Sequence, residues 1–207
     1  MHLKRNNASR KLPVPRKGTK YLARALNNHK SGVPVVVAVR DMLGIARDAR
    51  EVKKMAYGKL LKINGRAVKD IRESIKLFGI LQADKTYMLK ILPSGRFFFE
   101  ETKGGTRICK VIGRKVLTGN SVQVNLHDGT NFISKEDIVI GGSVELDMEN
   151  KMNKFISLEK GKNVFVVSGK SVGLTGRVEK IDEKNVLVKF DNEKMEVMLN
   201  KSHLIVL

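Results

Sequence analysis

Asp48-Ala49-Arg50-Glu51-Val52-Lys53-Lys54-Met55-Ala56-Tyr57-Gly58, running on as Lys59-Leu60-Leu61-Lys62-Ile63-Asn64-Gly65-Arg66-Ala67-Val68, is the stretch on which the fold turns. Asp48 followed three residues later by Glu51 marks a capped helix start, where the two side chains take up backbone N–H groups that the first turn leaves open. At about 100° per residue, Arg50, Lys53, Lys54 and Tyr57 share one side of that helix, and Val52, Met55 and Ala56 share the other. Gly58 stands where a C-cap is needed. Asn64-Gly65 between two short apolar runs predicts a tight hairpin, because both central residues of such a turn need positive φ. Lys59, Lys62, Arg66 and Lys69 lie beside that turn, and Arg47 lies just ahead of the cap. Taken alone, the segment fits equally a grip on a polyanion and a solvated helix followed by a lysine-guarded sheet edge.

Upstream, Pro34 opens an apolar run, Val35-Val36-Val37-Ala38-Val39 with Met42 and Leu43, interrupted once by Arg40-Asp41; proline at the first position predicts a short buried helix. Residues 1 to 33 have another texture. They hold no Trp or Phe, are broken by Pro13, Pro15 and Gly18, and carry Asn6, Asn7, Asn27 and Asn28. This predicts an extended basic arm with no core of its own. Lys4, Arg5, Arg10, Lys11, Arg16, Lys17 and Lys20 are its candidate phosphate contacts, with ordering on binding.

Among 207 residues there are 40 Lys/Arg and 21 Asp/Glu, a formal net charge of +19. The distribution says more than the total. Residues 1 to 40 hold ten basic residues and no acid, residues 41 to 110 sixteen against eight, and residues 111 to 207 fourteen against thirteen. Like charge gathered at one end repels itself unless something neutralises it, so a polyanionic partner is expected there. A membrane surface is disfavoured, because the basic arm lacks the apolar face of an amphipathic anchor. No run approaches the ~18 apolar residues of a membrane span. The amino terminus leads into polar sequence rather than a signal-peptide core, and a soluble, cytosolic protein is expected. Hydrophobic residues make up 42%, enough to bury real cores. Cys109 is the only cysteine, and His2, His29, His127 and His203 are too scattered to form a zinc set with it. Its expected role is that of a small buried hydrophobe.

From about residue 80 the pattern becomes β. Segments 87 to 92 and 96 to 99 flank Pro93-Ser94-Gly95, segment 122 to 126 leads into His127-Asp128-Gly129-Thr130, and segments 143 to 147 and 155 to 158 follow, which predicts a small barrel or curled sheet. His127 and Asp128 have the chemistry of an acid/base pair, but an Asp-Gly step is turn chemistry and the turn reading is preferred. Phe97-Phe98-Phe99 in a strand must send at least one ring into a core, so packing is preferred to base stacking. Near the end, Val164 and Val166 alternate on one strand face, and Gly161, Gly169, Gly173 and Gly176 let the chain turn and approach closely before Val178. Two further alternating segments, 186 to 190 and 195 to 199, complete an expected five-stranded SH3-like barrel. Residues 158 to 207 carry nine Lys/Arg against seven acids. Lys170 is the candidate cation of that module, and a contact with protein or with RNA shape is the alternative to phosphate binding.

The basic helix, its glycine, the apolar strand and Asn64-Gly65-Arg66-Ala67-Val68 resemble the alpha-L RNA-binding motif, in which helix and hairpin together grip structured RNA. Residues 161 to 178 are similar to the KOW pattern. In their order, arm, alpha-L unit, β middle and KOW module resemble the archaeal and eukaryotic small-subunit ribosomal protein four-e family across nearly the whole chain. His2-Leu3-Lys4-Arg5, Pro13-Val14-Pro15-Arg16-Lys17, Cys109-Lys110-Val111, His127-Asp128-Gly129-Thr130 and Val144-Glu145-Leu146-Asp147 are similar to family segments. Leu12 departs from the family's Trp, and the chain is shorter than typical members. The resemblance implies an α+β, mostly β protein with four parts: a basic N-terminal arm (1–33), an alpha-L domain (34–80), a central small β-barrel-like domain (81–157) and a C-terminal KOW SH3-like domain (158–207). It implies a non-catalytic structural constituent of the small ribosomal subunit, cytoplasmic, with small-subunit ribosomal RNA and neighbouring ribosomal proteins as partners. No cofactor, metal, membrane or small-molecule substrate is implied. The competing readings are an RNA-modification enzyme and a KOW-type transcription elongation factor. The first lacks a nucleophile–base set or phosphate loop in segment 81 to 157, and the second lacks a visible α/β domain for binding polymerase.

Overall fold

The computed structural model describes residues 2–27, 31–119, 121–190 and 196–207, so that Asn28, His29 and Met195 fall outside it. The described chain is mostly β with few helical residues, and it divides after Gly104 into two units.

In the first unit, β1 (Leu3–Lys4) pairs antiparallel with β2 (Tyr21–Leu22). A third short strand, β3 (Gly32–Pro34), leads into α1 (Val35–Val37), whose turn widens over Ala38–Met42. Valines resist a long helix by losing side-chain freedom, but burial overrides that preference: Val35, Val36, Val37, Ala38 and Val39 are all buried. The helix α2 (Ala49–Tyr57) follows, then the hairpin of β4 (Lys62–Ile63) and β5 (Arg66–Ala67). Next come β6 (Ser74–Lys76), which pairs with β3, and β7 (Ile80–Gln82), β8 (Thr86–Ile91) and β9 (Phe97–Glu101). The five-stranded order is β5-β4-β7-β8-β9. The hairpin and the strands at 87 to 99 therefore share one sheet, and the expected division between residues 80 and 81 falls inside β7. Phe97 is buried while Phe98 and Phe99 are half-buried, as packing requires.

The amino-terminal segment is not the coreless arm that its composition predicts. Leu3, Leu12 and Ala25 are buried, the Phe97 N–H donates to the Lys11 carbonyl at 2.8 Å, and the Leu26 N–H donates to the Arg72 carbonyl at 2.9 Å. A few buried apolar side chains suffice because backbone hydrogen bonds to β9 and to residue 72 already tie the segment to the rest of the unit. Residues 32 and 33 are likewise part of the β3–β6 ladder, not of an arm.

The second unit holds two five-stranded antiparallel sheets. In the first, β10 (Arg107–Val116), β11 (Val122–Leu126), β12 (Asn131–Ser134), β13 (Ser143–Leu146) and β14 (Met152–Ile156) are ordered β12-β11-β10-β13-β14. Cys109, Val111, Val124, Leu126, Ile138, Val144 and Leu146 form its core. In the second, β15 (Asn163–Val166), β16 (Thr175–Ile181), β17 (Asn185–Phe190), β18 (Glu196–Asn200) and β19 (Leu204–Val206) are ordered β18-β17-β16-β15-β19. Val164, Val166, Val178, Val186, Val188 and Leu204 close on a common core there. Gly176 shows why this segment needs glycine: a Cβ at that position would lie 2.5 Å from the Lys189 carbonyl oxygen across the ladder. The Val206 N–H donates to Ser143 Oγ at 2.9 Å, tying one sheet to the other.

Candidate nucleic-acid interface

Asp48 caps α2 as the sequence predicts, while its partner Glu51 reaches one residue further back than a capping box requires. Asp48 Oδ1 accepts from the Arg50 and Glu51 N–H groups at 2.7 and 2.8 Å, and Glu51 Oε2 accepts from the Arg47 N–H at 2.7 Å. Hydrogen bonds from the Glu51 N–H first, and then from that of Arg50, hold the Asp48 carboxyl below its usual range. Val52 and Ala56 are buried; Arg50, Lys53, Lys54 and Tyr57 are exposed on the opposite side. The helix ends in a Schellman arrangement, with the Leu60 N–H donating to the Met55 carbonyl and the Lys59 N–H to that of Ala56. Gly58 is the C-cap with φ −71°, and the left-handed position falls instead on Lys59, at φ +57°. Asn64 and Gly65 both have positive φ, and Asn64 Oδ1 accepts from the Ile80 N–H at 2.8 Å, which fixes the hairpin tip on β7.

The carboxylates between residues 41 and 73 are all engaged within the unit. Asp41 pairs with Arg40, Asp48 and Glu51 cap α2, Asp70 pairs with Arg72, and Glu73 binds Arg66 and the Lys69 N–H. Arg72 hydrogen bonding first, opposed by burial, lowers the Asp70 carboxyl, and the Lys53 charge adds to that lowering. Arg47, Arg50, Lys53, Lys54, Lys59, Lys62 and Lys69 are exposed, and none forms an ion pair among the described residues. Arg66 is the exception in the set, being held by Glu73. Tyr57, 71% exposed, lies among these cations with Lys53 Nζ 5.6 Å from its ring centroid.

In the amino-terminal segment, Lys4, Arg10, Arg16, Lys17 and Lys20 are exposed, and Lys11 is half-buried with its ammonium 6.0 Å from the Phe97 ring centroid. Arg5 is spent internally: its guanidinium donates to the Pro15 and Thr19 carbonyls and to Thr19 Oγ1. Lys170 is exposed in the loop between β15 and β16. Arg96, at the β8–β9 turn, was not singled out by sequence, because nothing local to Pro93-Ser94-Gly95 shows that the turn meets the amino-terminal segment.

The second unit uses charge differently. Arg107 Nη2 donates to Asp128 Oδ2 at 3.1 Å and to Asn150 Oδ1 at 2.8 Å, and both partners of this ion pair are buried. Burial would raise the Asp128 carboxyl, but the Thr130 hydroxyl and N–H and the Arg107 charge together hold it below its usual range. The His127 ring accepts from the Lys110 N–H at 3.0 Å. The His127-Asp128 step is thus a turn locked into a buried network. Burial first, then the Asp128 charge, pushes the Cys109 thiol up to about 12, which makes it unreactive. Lys110 Nζ donates to the Lys201 and Ser202 carbonyls, and burial pushes its ammonium down to about 8.

The fold and this surface define a mostly β protein with a strongly basic helix–hairpin face whose neighbouring carboxylates are engaged within the unit. Residues 83–152 match the Ribosomal family S4e, and residues 160–191 match the KOW motif. Small ribosomal subunit protein eS4 of Methanocella arvoryzae is 32% identical over 188 residues, covering 87% of this chain and 80% of that one. The protein of the same name from Ignicoccus hospitalis is 29% identical over 222 residues, covering 95% and 86%. The crystal structure of 30S ribosomal protein S4e from Thermoplasma acidophilum shares the fold, with a TM-score of 0.73 at 21% identity over 86% of this chain and 95% of that one. The chain belongs to the ribosomal S4e family.

Proposed function

We propose that the chain is a structural constituent of the small ribosomal subunit that binds ribosomal RNA without catalysis, in the cytoplasm, beside neighbouring ribosomal proteins. The observation that carries this is the set of unpaired cations around α2 and its hairpin, beside carboxylates that are all turned to internal work. A solvated face kept for solubility has no need of such an arrangement. Helix and hairpin act here as an alpha-L motif, reading the shape of structured RNA, since duplex RNA hides its base edges in a deep major groove. The amino-terminal cations add phosphate contacts, the β10–β14 sheet is scaffold, and the KOW module with Lys170 adds a weaker contact. Several modest contacts on one chain raise one another's effective concentration once the first has formed. A catalytic reading finds no support: His127 and Asp128 are tied into a turn, and Cys109 is buried.

Deleting residues 1 to 33 is a poor test, because it strips Leu3, Leu12, Ala25 and Val33 from the core. Charge reversal is cleaner. Arg50→Glu with Lys53→Glu should weaken binding of structured ribosomal RNA by roughly a hundredfold, and should lower the log–log salt slope by about 0.9 per lost phosphate contact. The circular dichroism spectrum should stay unchanged. Affinity that survives both changes contradicts the helix–hairpin grip, and native protein that does not sediment with small ribosomal subunits contradicts the assignment as a whole.

A further inference from the structure

Where the amino-terminal segment folds back on the β8–β9 turn, it encloses a cavity of about 750 Å³ in which Arg10 and Arg16, expected as contacts of an extended arm, come together with Arg96. Its walls carry Arg10 and Arg16 from that segment and Arg96 from the turn; its apolar lining includes Leu12, Pro13 and Leu22. No Asp or Glu lines it. The bond from the Phe97 N–H to the Lys11 carbonyl explains the convergence, since it sets the two chain segments side by side with Arg10 and Arg96 next to it. Arg5, the fourth arginine, is the staple of the loop: by holding the Pro15 and Thr19 carbonyls it fixes the position of Arg16 between them.

Three exposed guanidiniums facing one space repel each other, and none of the three has a hydrogen-bonding or ionic side-chain partner among the described residues. Such a group is disfavoured in the free protein and becomes favourable when an anion sits among them. Arginine's planar fork suits phosphate oxygens in particular. The apolar lining makes the space more than an anion site, because leucine and proline offer a base the flat, dry contact that a phosphate does not need. A nucleotide has both parts. Duplex RNA does not offer an unpaired base to such a cavity, whereas a bulge or a single strand does.

We propose that this cavity is a pocket for one unpaired nucleotide of RNA, with Arg10, Arg16 and Arg96 on its phosphates and Leu12, Pro13 and Leu22 under its base. The proposal rests on the RNA-binding reading and adds a single-strand subsite distinct from the helix–hairpin face.

The test uses the full chain and three probes of matched length: a short oligouridylate, its abasic counterpart and a blunt RNA duplex. Arg10→Gln, Arg16→Gln and Arg96→Gln should each weaken oligouridylate binding by roughly three- to tenfold and should lower its salt slope by about 0.7. Duplex binding by the Arg96→Gln protein should stay within about twofold, since Arg96 is not one of the contacts assigned to structured RNA. The unaltered protein should prefer oligouridylate to the abasic probe, and the triple variant should lose that preference. Oligouridylate binding indifferent to the three changes, with duplex binding still sensitive to Arg50→Glu, overturns the pocket and leaves the RNA-binding function standing. Equal affinity of the unaltered protein for the abasic probe and oligouridylate overturns the base subsite. Failure of the unaltered protein to bind any RNA removes both.

Discussion

The two units are nearly equal in length and opposite in their use of charge. Up to Gly104 the chain has 24 Lys/Arg against 8 Asp/Glu, and from Gly105 it has 16 against 13. The first unit keeps its cations outside and employs its carboxylates as helix caps and internal partners, so the excess is left to face a ligand. The second takes charge inside: Arg107 and Asp128 are 1% and 3% exposed, and Lys110 is buried against backbone carbonyls. Surplus charge at the surface points to a partner, whereas balanced charge in the interior holds an architecture together. A net charge counts only the first kind.

The sharpest way to break this contrast is Asp128→Ala. It removes the carboxylate beside a buried guanidinium, and breaking such a pair from one side costs about 3–5 kcal/mol. Urea unfolding of the second unit should report that loss, while RNA affinity of the native protein stays within about twofold if the grip belongs to the first unit. A loss under about 1 kcal/mol would show that the network does not hold the turns of β11–β12 and β13–β14 together.

Lys110 gives a smaller effect with a direction. Its ammonium is pushed by burial from 10.5 down to about 8 in the folded protein, so between those values the unfolded chain binds more protons than the native one. Stability therefore rises as pH increases from about 8 towards 10.5, and the penalty of a buried charge is present in full below about 8. The carbonyls of Lys201 and Ser202 favour the charged form and oppose part of this shift. The denaturation midpoint of the unaltered protein should climb across that window relative to Lys110→Met. Parallel profiles would mean that the ammonium keeps its ordinary pKa.

The same contrast explains what the sequence could tell. The α2 cap, the Asn64-Gly65 turn and the glycines of the KOW segment are local devices, each decided by residues within a few positions, and each stands where the spacing puts it. Sheet membership was not legible: β7, β8 and β9 join the hairpin through pairings such as Ile63 with Leu81, which no local pattern encodes. The amino-terminal segment has the composition of a linker, yet it buries Leu3, Leu12 and Ala25, a set too sparse to show as a local pattern. Among the candidate cations, the exposed set around α2 followed from helical periodicity. The internal use of Arg5 and the placing of Arg96 beside Arg10 depend on how separate segments meet.

Lys59 offers the finest probe, because in it the two uses of charge compete. It occupies the left-handed position that ends α2, where a side chain costs about 1 kcal/mol more than glycine. Gly58, which has no need of glycine's freedom at φ −71°, stands immediately before it. A chain selected for stability alone would place the glycine one residue later. Keeping a lysine there sets an ammonium between the helix and the hairpin, beside the carbonyl end of α2, where a cation is favoured. Lys59→Gly should therefore raise stability by about 1 kcal/mol and at the same time weaken binding of structured RNA by about threefold to tenfold, as loss of one phosphate contact implies. Gly58→Ala, with ordinary backbone and no atom nearer to the new Cβ than the Lys54 carbonyl at 3.4 Å, should change neither. A Lys59→Gly protein that is more stable and binds RNA unchanged would take this residue out of the grip and leave its backbone conformation without a functional reason.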